Sequence, residues 1–279
     1  MSAKEDNGRA HEYELGHSDR ELKRLRLQAQ LVDPITRQFF HDAGLTRGMR
    51  VLDVGSGGGD TALLAAEVVG DGGEVLGVDR SSVAVAAAQD RMKTLGKRNV
   101  SFRQGDPAAV EISGKFDAVV GRYVLMFNPD PAAMLRSLAR LLRPGGVIVF
   151  HETDWNGVRS APLVPIYDQC HEWIVQTFKK VGTNPYVGHD LHSVFVRAGI
   201  PAPSMGLRAL IEGPSSDIAY FDMIAELAIT MAPVMEEQGV VLPGEIDPAS
   251  FRQRMRNDVE RLNSVVIGRS EIGAWSRAL

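Results

Sequence analysis

The chain has 279 residues, 44% apolar and 24% charged; these globular proportions exclude disordered, collagen-like and low-complexity architectures. A chain of this length buries roughly 70–75% of its unfolded surface and needs no disulfide or metal to hold a core. Its 31 basic and 35 acidic side chains leave a formal charge of −4, which does not favour the phosphate neutralisation on which nucleic-acid affinity rests.

The single cysteine, Cys170, cannot form an intrachain disulfide and is too isolated for a zinc site. This points to a reducing, cytoplasmic setting. There is no run of 18 apolar residues, and residues 1–16 are polar and lack the apolar stretch of a signal peptide, so no membrane association is expected.

In chain order, Ser18-Asp19-Arg20-Glu21 is a capping box. It predicts a helix with Leu22, Leu25, Ala29 and Val32 on its apolar face, stopping near Pro34. From Arg50 to Glu152, short and mostly apolar runs alternate with helical patterns, the signature of a parallel sheet covered on both faces. The predicted strands are Arg50–Val54, Glu74–Asp79, Val100–Gln104, 116–120 and 147–152. The helices between them cover 61–69, the stripe Val85, Ala88, Met92 and Leu95 closed by Gly96, and a stretch from Asp130-Pro131 to Pro144. Helical patterns follow at 167–181, along Leu191, Val194, Phe195 and Ala198, and at 217–261 in two pieces around Pro233 and Gly239. Final strands are expected at 207–211 and 271–278. The fold class is therefore α/β, a doubly wound, Rossmann-like, seven-stranded, mostly parallel sheet with an N-terminal helical arm and helical cap inserts. We assign residues 1–49 to the arm or lid and residues 50–152, 188–212 and 263–279 to the core. Residues 153–187 and 213–262 form the cap.

The sharpest local signal is Val51-Leu52-Asp53-Val54-Gly55-Ser56-Gly57-Gly58-Gly59-Asp60, a strand running into a glycine turn and then a helix. Glycines leave no side chain between the main chain and a ligand, and the first crossover of such a sheet is where nucleotide-like ligands bind. Asp79 ends the second strand, where a carboxylate can accept from ribose hydroxyls. A dinucleotide loop places its third glycine three residues after the second, but here Asp60 holds that position. A carboxylate would repel a pyrophosphate but suits the ammonium and sulfonium of S-adenosylmethionine.

With Gly77-Val78-Asp79-Arg80-Ser81, Gln104-Gly105-Asp106-Pro107, Phe116-Asp117-Ala118-Val119-Val120-Gly121-Arg122 and Leu141-Leu142-Arg143-Pro144-Gly145-Gly146, this loop makes five ordered elements over about residues 50–152. Together they resemble the class I S-adenosylmethionine-dependent methyltransferases, nearest to the small-molecule, quinone- and natural-product-modifying type. The resemblance implies S-adenosylmethionine as cofactor. The backbone of Gly55, Ser56 and Gly57 would hold the methionine portion and Asp79 the ribose. Arg80 would flank adenine, Asp106 beside Pro107 would accept from its amine, and Gly121 and Arg122 would line the methionine tail. Tyr13 and Gln28 are further expected contacts, on an arm folding over the cofactor as a lid.

The methyl of a sulfonium is already activated, so alignment and desolvation supply most of the acceleration. Where the acceptor needs a base, the candidates at the strand ends are His151 and Tyr123. Glu152 and Asp154 are too unspecifically spaced for a metal pair, and no metal is expected. The Asp/Asn-Pro-Pro-aromatic run of amino-methylating nucleic-acid enzymes is replaced by Gly121-Arg122-Tyr123-Val124, and Cys170 lies on an apolar helical stripe. Aromatic and methionine side chains at 167–178 and 221–235 suit an apolar pocket. The expected partner is a small, partly apolar acceptor methylated at O, N or C, with no nucleic acid; the chain is compatible with a homodimer. Two competing readings are an NAD-dependent oxidoreductase and a non-methylating binding protein or cyclase of the same fold.

Overall fold

The structure, a computed structural model, describes residues 19–107, 109, 114–216 and 219–278. The expected capping residue Ser18 and the expected contact Tyr13 lie outside these. The elements run α1 (Asp19–Asp42), β1 (Arg50–Val54), α2 (Asp60–Val69), β2 (Glu74–Asp79), α3 (Ser82–Thr94), β3 (Val100–Gln104), β4 (Phe116–Arg122), α4 (Pro131–Ala139), β5 (Leu142–Asp154), β6 (Arg159–Ala161), α5 (Pro165–Lys180), α6 (Val187–Arg197), β7 (Ser204–Glu212), α7 (Tyr220–Glu237), α8 (Phe251–Arg261) and β8 (Val265–Arg277).

The strand order is β3-β2-β1-β4-β5-β8-β6, with β7 on the other side of β8. Pairing is parallel from β3 through β5 and antiparallel wherever β8 takes part. Strand alternation splits the core in two. Leu52, Val54, Val119, Ile148 and Phe150 face the layer of α4, α5, α6 and α7. Val51, Val75, Ala118, Val120 and Val149 face α2, α3 and the end of α1.

Three expectations are corrected. The sheet has eight strands, because three-residue β6 pairs with Val265, Val266 and Ile267, beyond the reach of β5 on the same strand; a run that short carries no periodic signal. The first helix does not stop near Pro34 but continues to Asp42. Pro34 is exposed, while Val32, Thr36, Phe39 and Phe40 are buried along the opposite side. Phe39 sits on the paired glycines Gly206 and Gly273, where an added Cβ would stand 3.0 and 2.5 Å from its ring. Burial of that face outweighs the hydrogen bond lost at proline. Pro233 likewise lies inside α7, whose chain turns only at Gly239, at φ +62.

Candidate functional site

The turn after β1 is folded against β2. Gly55 and Ser56 donate their backbone N–H groups to the Val78 carbonyl (2.8 and 3.1 Å). Gly77 has no side chain because a Cβ would meet Phe102 at 2.5 Å and Ser56 at 2.9 Å. Gly55, at φ +64, leaves room for Val124, whose Cγ2 would lie 2.7 Å from a Cβ. Gly57 is also left-handed, at φ +48, but no atom lies within 4 Å of its absent Cβ. Gly59, at φ +84, lets α2 close onto Phe102 and Ala88. The close-packing role of a third glycine is thus filled two residues after Gly57, not three.

Asp79 joins the two strand ends: its Oδ2 accepts from the Gly57 N–H and its Oδ1 from the Ser81 N–H, both at 2.8 Å. Each oxygen keeps acceptor capacity. Arg80 pairs with Asp106 at 2.8 Å. Asp60 pairs with Arg91 at 2.6 Å, and Arg91 also donates to the Gly58 carbonyl at 3.1 Å. The Asp60 charge is therefore offset inside the protein, which removes most of the charge-sign argument against a pyrophosphate. Asp53 lies fully buried behind the loop, and burial pushes its carboxyl well above the ordinary range.

A cavity of about 830 Å³ opens on this loop. Gly55, Ser56, Gly57, Asp79, Arg80, Pro107, Gln28, Arg122 and Tyr123 all line it. Asp106 does not line it but pairs with Arg80, which does. Gly121 is also off the wall; it is needed beneath, where a Cβ would meet Phe150 at 2.5 Å. The far end is walled by Thr153, Trp155, Phe178, Leu227, Met231 and Arg269, so α5 and α7 cover the end remote from Asp79.

The turn after β4 is held by buried acids. Tyr123 has φ 56, a left-handed geometry that costs a non-glycine residue about 1–2 kcal/mol. It is stabilised by its own hydroxyl, which donates to Glu271 Oε2 at 2.6 Å, and by Glu152, whose Oε1 accepts from the Val124 and Leu125 N–H groups at 2.8 and 2.7 Å. Burial raises Glu152 to about 8 despite these donors. Burial would also raise Glu271, but Arg269, His151 and Tyr123 outweigh it and hold it at about 2.

These placements revise both expected bases. His151 is fully buried and has no surface on the cavity. Its Nε2 lies 3.0 Å from Glu271 Oε2 and its Nδ1 3.0 Å from Thr36 Oγ1. Burial holds its pKa below the ordinary value. It cannot touch an acceptor and acts as a positioning residue between α1 and β8. Tyr123 does line the cavity, but burial and the Glu271 charge push its phenol far above the ordinary value, so it stays protonated. His171 stacks on Trp155 (centroids 5.8 Å apart) without lining the cavity, and Cys170 is buried. Glu152 and Asp154 are engaged with backbone N–H groups. Among the described residues no group of three His, Cys, Asp or Glu could hold a metal ion, and no helix is long and apolar enough to cross a membrane.

Sequence reasoning missed the polar chain behind the cavity. Arg122 donates to Asp33 Oδ1 (2.7 Å) and Thr36 Oγ1 (3.0 Å) on α1, and Arg269 Nε donates to Glu271 Oε1 (3.0 Å). One signal was available: Arg269 and Glu271, two apart in an apolar strand, must share a face. The last strand, however, was expected to begin only at Glu271.

A family model described as a methyltransferase domain matches residues 45–199. A demethylmenaquinone methyltransferase of Lactococcus lactis subsp. lactis is 36% identical over 126 residues, 45% of this chain and 48% of that protein. An arsenite methyltransferase of Aquipseudomonas alcaligenes is 40% identical over 116 residues, 39% of this chain and 34% of that protein. The chain thus spans about half the length, or less, of these curated relatives. A solved geranyl diphosphate methyltransferase in complex with S-adenosylmethionine has the same fold, with a TM-score of 0.53 at 16% identity, covering 95% of this chain and 94% of that one.

Proposed function

The chain belongs to the methyltransferase-domain family, and from that premise we propose that it transfers a methyl group from S-adenosylmethionine to a small, partly apolar acceptor. The observation that carries this reading is Asp79, pinned through both oxygens at the cavity wall beside a glycine loop that is open at Gly57. Those residues fit the nucleoside: a fixed carboxylate for the ribose hydroxyls and an unobstructed backbone for the amino-acid portion. Arg80 and Pro107 would border the adenine, while Gln28 and Arg122 would lie along the methionine tail. When bound, the sulfonium supplies an electrophilic methyl group.

The protein's share is alignment. Among the described residues, the carboxylates lining the cavity are Asp60 and Asp79, the first paired with Arg91 and the second with two N–H groups. Neither is free to act as a base. Among the described residues the wall thus supplies no carboxylate base, and its share is to bring a nucleophilic acceptor atom into line and to shield it from water beneath α5 and α7.

Calorimetric titration with S-adenosylmethionine and with NAD tests the reading. Saturable binding of the first and none of the second is expected, and Asp79→Ala should weaken binding at least tenfold. Binding of NAD alone would overturn the assignment. Incubation with methyl-labelled cofactor and a panel of apolar phenols, thiols and amines should label at least one; intact binding with no transfer to any of them would leave a binding protein or cyclase.

A further inference from the structure

Arg269 stands at the cavity wall with only 3% of its surface exposed. Its Nε donates to Glu271 Oε1 at 3.0 Å and its Nη2 to the Tyr123 hydroxyl at 3.2 Å. The guanidinium carbon lies 5.3 Å from the Tyr123 ring centroid and 5.2 Å from that of Trp155. The group is thus held by two hydrogen bonds and two ring faces. A guanidinium carries five N–H donors. These contacts engage two of them, and Nη1 has no acceptor among the described residues. With Nε and one N–H of Nη2 held by the protein, Nη1 is left as a donor for an acceptor atom in the cavity that Arg269 lines. The neighbouring wall is apolar, formed by Phe178, Leu227 and Met231.

We infer that the methyl acceptor is amphipathic, with an apolar body lying against Phe178, Leu227 and Met231 and an ionised or carbonyl oxygen accepting from Arg269 Nη1. Glu271 balances the guanidinium charge, so recognition comes from directed N–H groups rather than net positive potential. Both oxygen types are therefore accepted, the ionised one more tightly. Because its other contacts fix the guanidinium, little order has to be imposed on binding. The inference rests on the methyltransferase reading and narrows its acceptor class.

The test uses the full chain saturated with S-adenosylhomocysteine, whose own affinity is measured first by calorimetry. Three probes of similar apolar bulk are then titrated by quenching of tryptophan fluorescence, since Trp155 is on the wall: 2-naphthoate, 2-acetonaphthone and 2-ethylnaphthalene. The naphthoate should bind at least tenfold more tightly than the hydrocarbon, with the ketone between them. Equal binding of all three to the unmodified protein overturns the inference, without recourse to any variant that could fail to fold. In the double variant Arg269→Gln/Glu271→Gln, which leaves no lone buried charge, the discrimination should fall below threefold while S-adenosylhomocysteine affinity stays within threefold; retained discrimination would also overturn it. Failure of S-adenosylhomocysteine to bind the unmodified protein would instead strike the underlying functional reading.

Discussion

His151 and Glu271 meet diagonally across the β5–β8 pair, with Nε2 and Oε2 3.0 Å apart and neither side chain exposed. An ionised carboxylate only accepts, so the neutral imidazole carries its hydrogen on Nε2. Arg269 and Tyr123 complete the set of donors to Glu271. The folded carboxyl is held at about 2, below its ordinary 4.5. Its contribution to stability is therefore complete above pH 4.5 and is lost as the pH falls through about 2. Glu271→Gln should cost about 3 kcal/mol at neutral pH. Urea unfolding at pH 7 and pH 3 checks it, and the gap between native and variant should narrow at the lower pH. A gap that stays constant with pH would mean the carboxylate is not ionised in the folded protein.

Glu152 behaves in the opposite sense. Its folded value of about 8 exceeds the ordinary 4.5, so the unfolded chain loses this proton first, and stability falls as pH rises between those values. Glu152→Gln keeps an acceptor for the Val124 and Leu125 N–H groups and does not titrate. The stability difference should move in the variant's favour by about 1.4 kcal/mol per pH unit across that window. Denaturation midpoints at pH 5 and pH 7.5 measure it directly.

Tyr123→Phe separates support from proton transfer. It removes a donor to a buried carboxylate and should lower stability by about 1.5–3 kcal/mol. If Tyr123 only positions the turn, the pH profile of methyl transfer keeps its shape. Loss of a limb of that profile would return the phenol to the chemistry.

Pro34→Ala tests why α1 runs on. The proline is exposed inside the helix, and its replacement restores an N–H while leaving Val32, Thr36 and Phe39 in place. The variant should be more stable, by about 1–3 kcal/mol. Thermal unfolding would show a raised midpoint; an unchanged or lower one would mean that the helix needs the proline geometry.

The order of the elements, the glycine turn and Asp79 were legible in the sequence because they depend on neighbours along the chain. Apolar runs of strand length, glycines where backbone meets backbone, and a carboxylate at a strand end all leave local patterns. The continuation of α1 past Pro34 was not legible, because it depends on Phe39 meeting Gly206 and Gly273, some 170 and 230 residues further on. The roles of His151 and Tyr123 were hidden for the same reason. From the sequence both stand at strand ends, where bases often lie. Only the packing of β8 beside β5 buries His151 behind the wall and turns Tyr123 toward Glu271. The chain by itself thus determined the parallel strands β1 to β5 and the loop that opens on the cavity. Tertiary structure decided which polar groups reach that cavity, because burial and charge pairing depend on strands far apart in sequence.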